Sequence, residues 1–323
     1  MDDKYKNLPP RFPAPVPDGA VFGPDGADLD YQPKWKIPDV VGIACHVTGQ
    51  PIKRAKNPAQ PYTPDEIRQS ALDCIEAGAS CVHIHARTDK GNFVNDKKEH
   101  LQMLRDIIVP VREKYGNSVY VDGCVLVDLN FETEKILIDA MLDEGLMDSM
   151  PLNPGTITPP RLLQAEAAYL MEKGSKPALG LHEDEAIDQV RVYLLETGIL
   201  EPPLHWGLLP CWANPGGSLF SEFDAADYLL RSVRRIREID PTGLITLATA
   251  GRPSYYLTTM AMVMGLSIRV GIEDTYWKWP HKDDMLSDTV TAFKDMKTVA
   301  EILGRRVATA NEYRIMSGLP TKS

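Results

Sequence analysis

Short apolar runs alternate along most of the chain with longer segments in which apolar residues recur every three to four positions. Residues 40–47 form a nearly continuous apolar run with the length of a buried β-strand. A helix is predicted to begin at Thr63, because Thr63 and Glu66 form a capping box and Ile67 and Cys74 follow at helical spacing. Both patterns then repeat, which predicts alternating strands and amphipathic helices.

Eight strand–helix units are predicted in this way. The strands cover residues 40–47, 81–86, 119–126, 149–152, 177–182, 204–210, 244–250 and 268–272, and the helices cover 63–78, 97–115, 132–146, 160–173, 184–196, 225–239, 255–264 and 288–304. Strict alternation predicts a parallel sheet, and eight such units most simply close as an α/β (β/α)8 TIM barrel. A doubly wound open sheet is the alternative, but the VTGQPIK turn after the first strand lacks the glycine pattern of such folds.

Residues 1–38 differ from the rest of the chain because they are rich in proline and polar residues. Such a composition cannot bury enough surface to fold alone. We therefore expect a Pro-rich N-terminal arm over residues 1–38 and a barrel catalytic domain over residues 39–323. The arm is either flexible or packed on the barrel or a neighbouring subunit, with Tyr31 and Trp35 as its anchors.

The formal net charge of −10 argues against nucleic acid and anionic membranes as partners, although an anionic small ligand is not excluded. The five cysteines are an odd number and at least three lie in apolar patterns, which is typical of reduced thiols in the cytosol. No apolar run reaches membrane-spanning length, and the N-terminus has no signal-peptide core. From the reduced cysteines and the lack of a membrane-spanning run, we expect a cytoplasmic protein with no membrane partner.

The apolar run 81–86 contains two histidines, His83 and His85, two positions apart. Residues i and i+2 of a strand point to the same face, so both imidazoles project together. Two imidazoles on one rigid face suit a divalent metal such as zinc. The alternative is a pair of core histidines, which would need two separate sets of hydrogen-bond partners.

Polar residues also follow most of the other predicted strands, where barrel enzymes carry their chemistry. The residues at these carboxyl ends are Thr48, His83, His85, Asp122, Asn153, His182, Glu183, Asn214, Arg252, Glu273 and Asp274. We interpret Thr48, Asn153 and Glu183 as candidates for binding substrate. Glu183 equally suits the start of the helix that follows it, because a carboxylate there favours the helix dipole.

Strand eight carries the third candidate metal ligand. Arg269, Gly271 and Glu273 lie two positions apart and share one face. Glu273 and the two histidines together leave an open position for substrate, as catalytic zinc sites do. Asp274 has the opposite parity, but at a strand terminus it can turn to the rim and act as a general base. His205 lies at the start of strand six, at the opposite end of the barrel, and is interpreted as structural.

Several segments resemble the β-keto acid cleavage enzyme family over roughly residues 40–320. They are VTG, TPDEI, EAGASCVHIHARTDKG, LNPGT, IRVGIEDTYW and GRRVATANEYRIMSGL. The resemblance implies a zinc-dependent TIM barrel that catalyses a Claisen-type exchange. In this exchange a β-keto acid and the co-substrate acetyl-CoA give acetoacetate and a new acyl-CoA. The resemblance also implies a single zinc site in each chain and a homotetramer.

The matching motifs also imply roles for individual residues. His83, His85 and Glu273 match the zinc ligands of the family. Arg269 matches a catalytic arginine, and Asp274 matches the residue thought to act as the base. A β-keto acid can chelate zinc through its carboxylate and keto oxygens, so that zinc polarises the ketone and stabilises the enolate.

The chain departs from the family pattern at four positions. Where the family usually has a glutamate after strand one, this chain has Pro51. Asp122 stands in place of a serine in strand three, and Gly180 stands in place of a glutamate in strand five. His46 stands where a small residue is common. We expect Asp122 or His46 to take over a catalytic proton transfer, and a core hydrogen bond is the alternative for His46.

Arg252 is a candidate for binding the phosphates of CoA, because an arginine side chain pairs well with phosphate.

Two other functions are weighed against this one. A zinc hydrolase of the amidohydrolase type also uses a His-x-His pair and a strand-eight aspartate in a barrel. That layout places the pair on strand one, whereas this chain has it on strand two. A paralogue that binds metal and ligand without turnover would explain the changes at Pro51, Asp122 and Gly180, although Arg269 and Asp274 are both kept.

Overall fold

The computed structural model describes residues 34–49, 52–123, 130–155, 157–210 and 221–323, together with two short N-terminal strands. These strands, Phe22–Gly23 and Gly26–Ala27, pair antiparallel. The chain divides into two compact units, residues 1–37 and residues 38–323. The second unit carries the barrel. The proposed arm anchor Tyr31 lies outside the described residues.

Eight parallel strands form one sheet in the second unit. They are β1 (Ile43–His46), β2 (Cys81–Ile84), β3 (Tyr120–Gly123), β4 (Pro151–Leu152), β5 (Ala178–Leu181), β6 (His205–Leu208), β7 (Leu244–Leu247) and β8 (Ser267–Val270). Hydrogen-bonded neighbours follow the order β3-β2-β1-β8-β7-β6-β5-β4. An isolated bridge between Asp122 and Ser149 brings the two ends of this order together. The sheet is therefore nearly closed, and the predicted TIM barrel is confirmed.

A helix follows each strand of the barrel. The helices are α1 (Pro64–Glu76), α2 (Lys97–Tyr115), α3 (Phe131–Asp143), α4 (Pro160–Glu172), α5 (Glu185–Val190), α6 (Glu222–Ile239), α7 (Ser254–Val263), α8 (Thr289–Ile302) and an additional α9 (Ala310–Met316). The predicted capping box at the start of α1 is present, because Thr63 and Glu66 bond each other's backbone N–H groups. Across the described ranges, every helix is too short or too polar to span a membrane.

The sequence analysis missed α9, which covers the amino-terminal ends of the strands. Tyr313 of α9 packs on Tyr120, the first residue of β3, with ring centroids 4.8 Å apart. The fully buried Arg314 donates from Nε to Asp148 Oδ1 at 3.0 Å. This end of the barrel is therefore filled by packing and ion pairs, and the carboxyl ends of the strands are left for the site.

Candidate active site

One cavity of about 340 Å³ brings most of the predicted site residues together. Its polar wall includes His46, His83, His85, Asp122, Asn153, Arg269 and Glu273. Strand register places three of them in a row, because His46 of β1 lies opposite His83 of β2, which lies opposite Asp122 of β3. A volume of this size suits a small organic ligand.

His83, His85 and Glu273 bring three potential metal ligands close together. Nε2 of His83 lies 3.0 Å from Nε2 of His85. Oε1 of Glu273 lies 3.4 Å from His85 Nε2 and 4.0 Å from His83 Nε2. The ligands of a tetrahedral zinc ion are about 3.3 Å apart when each bond is about 2.0–2.1 Å long. The three buried side chains therefore fit zinc with small adjustments.

His46 is a competing ligand, because His46, His83 and Glu273 also offer ligand atoms within 4.8 Å of one another. However, the His46 ring is stacked on the His83 ring, with centroids 4.1 Å apart and planes at 14°. A metal lies in the plane of each imidazole that binds it, and one ion cannot lie in two separate parallel planes. The His83 and His85 planes meet at 66°. The geometry therefore favours His85 as the second ligand.

Two further side chains support this ligand set. Oδ1 of Asp122 lies 2.8 Å from Nδ1 of His83, and such a contact fixes the ring with Nε2 free for a metal. Nδ1 of His46 lies 3.5 Å from Oε2 of Glu273. Both atoms are buried, and among the described residues neither His46 Nδ1 nor Glu273 Oε2 has a hydrogen-bond partner. A buried carboxylate oxygen without a hydrogen-bond partner is typical of a site in which a bound ligand supplies the missing contact.

The ligand residues shift one another's pKa. Burial opposes the ionisation of Glu273, but His85, His83 and Arg269 outweigh burial and hold its pKa well below the usual value. Burial lowers the pKa of His85. Burial also acts to lower the pKa of His83, but Glu273 and Asp122 outweigh it and raise that pKa. Glu273 and His85 are therefore in the states that bind metals, whereas a metal would compete with a proton for the ring of His83.

The end of β8 sets the orientation of Arg269, Glu273 and Asp274. The strand stops before Gly271, whose φ is +147° and whose missing Cβ would collide with the carbonyl oxygen of His46. Nε of Arg269 lies 3.2 Å from each carboxylate oxygen of Asp274, and Nη2 lies 3.0 Å from Glu273 Oε1. These carboxylates outweigh burial and raise the pKa of Arg269. A tight turn, and not a continued strand, therefore brings these groups together.

The predicted substrate-binding residues have different surroundings. Asn153 lines the cavity, and its Oδ1 lies 3.2 Å from His182 Nε2. Thr48 is fully buried but is not among the described residues that line the cavity. Its hydroxyl donates to the carbonyl oxygen of Pro61 at 2.9 Å and accepts from Arg87 at 2.8 Å. Thr48 therefore joins two loops at the barrel rim.

The structure does not bring Arg252 or Glu183 into the described cavity wall. The guanidinium of Arg252 lies 4.0 Å above the ring of Trp277 and pairs with the exposed Asp283. Glu183 lies beside Gly155, close enough that a side chain at Gly155 would meet its carboxylate. Two other positions named from the sequence, residues 51 and 214, lie outside the described residues.

Three cavity residues were not recognised as such from the sequence. Glu134 of α3 and Glu166 of α4 line the cavity, and so does His205 of β6. Nε2 of His205 lies 2.8 Å from the hydroxyl oxygen of Thr246. A signal for the two glutamates was present, because each occupies a buried position on an otherwise apolar helix face. No sequence signal indicated that the cavity reaches His205, because the depth of a barrel cavity depends on how the side chains pack.

Gly180 gives room to a cavity residue. A Cβ at Gly180 would lie 2.5 Å from Oδ1 of Asn153. A glutamate, which the family resemblance leads one to expect at this position, therefore does not fit the observed arrangement. Asn153 and His182 occupy this part of the wall instead.

Comparisons with known proteins point to one enzyme family. A family model described as beta-keto acid cleavage enzyme matches residues 40–319. The chain is 27% identical over 281 residues to the 3-keto-5-aminohexanoate cleavage enzyme of Fusobacterium nucleatum, a match that covers 84% of this chain and 95% of that protein. It is 23% identical over 307 residues to the 3-dehydrocarnitine:acetyl-CoA trimethylamine transferase of Rhizobium meliloti, with coverages of 85% and 95%.

A solved structure shows the same fold. The apo structure of ObcA aligns with a TM-score of 0.64 at 18% sequence identity. The alignment covers 81% of this chain and 66% of the ObcA chain, so this chain spans just under two thirds of that protein. At this identity the likeness supports the barrel architecture and nothing finer.

Proposed function

The chain belongs to the beta-keto acid cleavage enzyme family, and from this premise we propose that it exchanges the acyl group of a β-keto acid with acetyl-CoA. The products are acetoacetate and a new acyl-CoA. Relatives whose names contain keto-acid cleavage and acetyl-CoA support the two halves of this reaction. The observation that carries the proposal is the cluster of His83, His85 and Glu273 facing one cavity with Arg269.

The carbon balance of this exchange defines its steps. The carbon between the keto and carboxylate groups loses a proton and bonds to the carbonyl carbon of the acetyl group, and the CoA thiolate leaves. The thiolate then attacks the original keto carbon, and the bond between that carbon and the central carbon breaks. The products are the acyl-CoA and the enolate of acetoacetate, which regains a proton. The protein must therefore supply a base and positive charge at the oxygens.

The proposed metal is zinc, held by His83, His85 and Glu273 with one position left for substrate. When bound, zinc would polarise the keto oxygen and stabilise the negative charge of the enolate. Asp122 supports this site by accepting a hydrogen bond from Nδ1 of His83, which keeps Nε2 directed at the metal position. Asp122 therefore acts in the proposal as a positioning residue for a ligand.

Asp274 is the proposed base. Its buried carboxylate is paired with Arg269, so part of this pairing has to be exchanged before Asp274 can accept a proton. Arg269 lines the cavity, and its planar guanidinium suits the carboxylate of a β-keto acid. Binding of the substrate carboxylate to Arg269 would weaken its ion pair with Asp274, and the Asp274 carboxylate would then accept the proton from the central carbon.

The remaining predictions concern binding and assembly. We propose that Asn153 contacts the substrate from the cavity wall, whereas Thr48 holds the rim through Arg87. Glu183 and Arg252 stay candidates for contacts with substrate and with the CoA phosphates, respectively, at the rim. A cytoplasmic homotetramer also stays a prediction. The buried free thiols, Cys45, Cys74 and Cys81, agree with a reducing compartment.

Isotope-labelled acetyl-CoA tests the reaction. A panel of β-keto acids is incubated with the protein and with acetyl-CoA that carries ¹³C in both acetyl carbons. Exchange places the label in the methyl and keto carbons of acetoacetate and leaves its carboxylate half unlabelled, which NMR distinguishes. Zinc-loaded protein that forms no acetoacetate from any panel member would overturn the proposal and favour a barrel hydrolase or a non-catalytic paralogue.

A further inference from the structure

Two buried glutamates line the cavity in addition to the histidine cluster. Glu134 lies near the start of α3 and Glu166 in the middle of α4, and their exposed fractions are 2% and 3%. The two helices are neighbours in the barrel. The cavity that is lined by His83 and Glu273 is also lined by both of these glutamates. A single ligand can therefore contact both groups of residues.

The two glutamates form a carboxyl pair. Glu134 lies within hydrogen-bonding reach of Glu166, and a hydrogen bond between two carboxyl groups requires a proton on one of them. Burial, followed by the neighbouring Glu134, raises the pKa of Glu166 to about 9. Glu166 therefore carries a proton at neutral pH. Within the described part of the chain, no lysine or arginine contributes to the ionisation of Glu166.

Packing alone gives no reason for this pair. Leu162, one turn before Glu166 on α4, lines the same cavity, and Leu163 and Leu170 extend the buried face of that helix. A leucine at position 166 would continue the apolar surface and avoid the cost of burying a carboxyl group. Carboxyl groups that are buried against a cavity, and not within the core, are typical of ligand recognition.

We propose that Glu134 and Glu166 form a binding site for a protonated amine at the far end of the β-keto acid. The position of the keto and carboxylate groups at the other end of the ligand rests on the proposed function. The ammonium group donates hydrogen bonds to both carboxylates, and its positive charge replaces the proton on Glu166, which leaves to solvent. Substrates that end in an ammonium group are favoured over substrates of the same length that end in methyl or carboxylate.

The first test compares three β-keto acids of equal length in the acetyl-CoA exchange. They end in an ammonium, a methyl or a carboxylate group. We expect kcat/KM for the ammonium substrate to exceed that for the methyl substrate roughly 10- to 100-fold, the range for a hydrogen bond to a charged group. The carboxylate substrate should be the poorest. Equal rates, or a preference for the methyl or carboxylate substrate, would refute the amine site and leave the exchange reaction established.

Four matched variants connect this selectivity to the pair. E134Q and E166Q keep the side-chain size and replace one carboxyl group of the site with a neutral amide, and each should lower the ammonium-to-methyl ratio of kcat/KM by roughly tenfold or more. E132Q on α3 and E172Q on α4 change exposed residues and should keep the ratio. The ratio is internal to each variant, so partial loss of folded protein does not alter it. An unchanged ratio in both E134Q and E166Q would contradict the proposal.

A binding measurement makes the test independent of turnover. n-Butylammonium is titrated into the wild-type protein by calorimetry in two buffers with different ionisation enthalpies. Binding that releases about one proton per chain supports the site. No binding, or binding without proton release, contradicts it. If the panel gives no acetoacetate but n-butylammonium binds with proton release, the proposed function fails and the amine site stands.

Discussion

His83 has a different partner on each side of its ring. Asp122 lies at Nδ1, His85 lies at Nε2, and His46 is stacked on the face. Only the Nε2 side also faces Glu273 Oε1. At the scale of single residues, the site therefore separates groups that can bind a metal from groups that hold the ligands in place.

Two alanine substitutions distinguish these roles. We expect the wild-type protein to retain zinc and H85A to lose it, because removal of one of three ligands leaves too few protein donors. H46A should retain about one zinc per chain, because a ring stacked on His83 cannot share its metal. Mass spectrometry after dialysis measures both. Zinc kept by H85A and lost by H46A would reverse the assignment of the second ligand.

The D274N substitution tests the proposed base. Asparagine keeps the shape of Asp274 but cannot accept the substrate proton, so kcat for the exchange should fall by about 10²- to 10⁴-fold. Zinc content should not change, because Asp274 contacts Arg269 and is not one of the three candidate ligands. D65N, which changes an exposed residue of α1, is the control. Exchange at the wild-type rate in D274N would place the base elsewhere.

At the scale of elements, α9 depends on charge at its first turn. The Glu312 carboxylate bonds the backbone and hydroxyl of Thr309 and pairs with Arg306. Arg306, followed by the Thr309 N–H, lowers the pKa of Glu312 to about 2. The helix carries Tyr313 and Arg314 into the amino-terminal end of the barrel. Loss of charge on Glu312 is therefore expected to weaken the packing of α9 against the amino-terminal end of the barrel.

The E312Q substitution tests this link through pH. The pKa of Glu312 is lower in the folded protein than the ordinary value of 4.5. Its contribution to stability is therefore present above that value and is lost as pH falls towards 2. The melting temperature of E312Q should fall less over this pH interval than that of the wild type. E301Q, at an exposed position on α8, should behave as the wild type. Identical pH profiles for all three proteins would disprove the effect.

Sequence patterns predicted the elements better than their relative placement. The alternation of strands and helices and the spacing of His83 and His85 are local, so they could be predicted. The row of His46, His83 and Asp122 depends on register between strands, which forms only when the sheet assembles. The α9 helix has seven residues, which is too short for a periodic pattern to identify. The turn at Gly271 depends on contact with β1, which is distant in sequence.

At the scale of the whole molecule, Asp148 links β3 and β4, the two strands at which the barrel sheet has the least backbone pairing. Among the described residues, β3 and β4 share only the bridge between Asp122 and Ser149. The Asp148 backbone N–H donates to Val121 O at 2.7 Å, and the Val121 N–H donates to Asp148 Oδ2 at 2.9 Å. Arg314 of α9 bonds the same carboxylate. One buried side chain therefore links β3, the segment before β4, and α9.

The D148N substitution should strongly destabilise the barrel. It removes one partner from a buried ion-pair network, a change that typically costs about 3–5 kcal/mol. Urea denaturation followed by circular dichroism measures the free energy of unfolding. D143N removes an exposed ion pair with Lys173 and should cost no more than about 1 kcal/mol. A loss in D148N as small as that in D143N would show that Asp148 does not hold the barrel closed.

The metal dependence of acetoacetate formation tests the account most directly. Bound metal is removed with a chelator, and the metal content and the exchange rate are measured on the same sample before and after zinc is added back. We predict that the metal-free protein has lost the exchange and that the rate returns in proportion to the zinc bound, up to about one per chain. Exchange at the original rate by protein shown to be free of metal would contradict the central role of His83, His85 and Glu273.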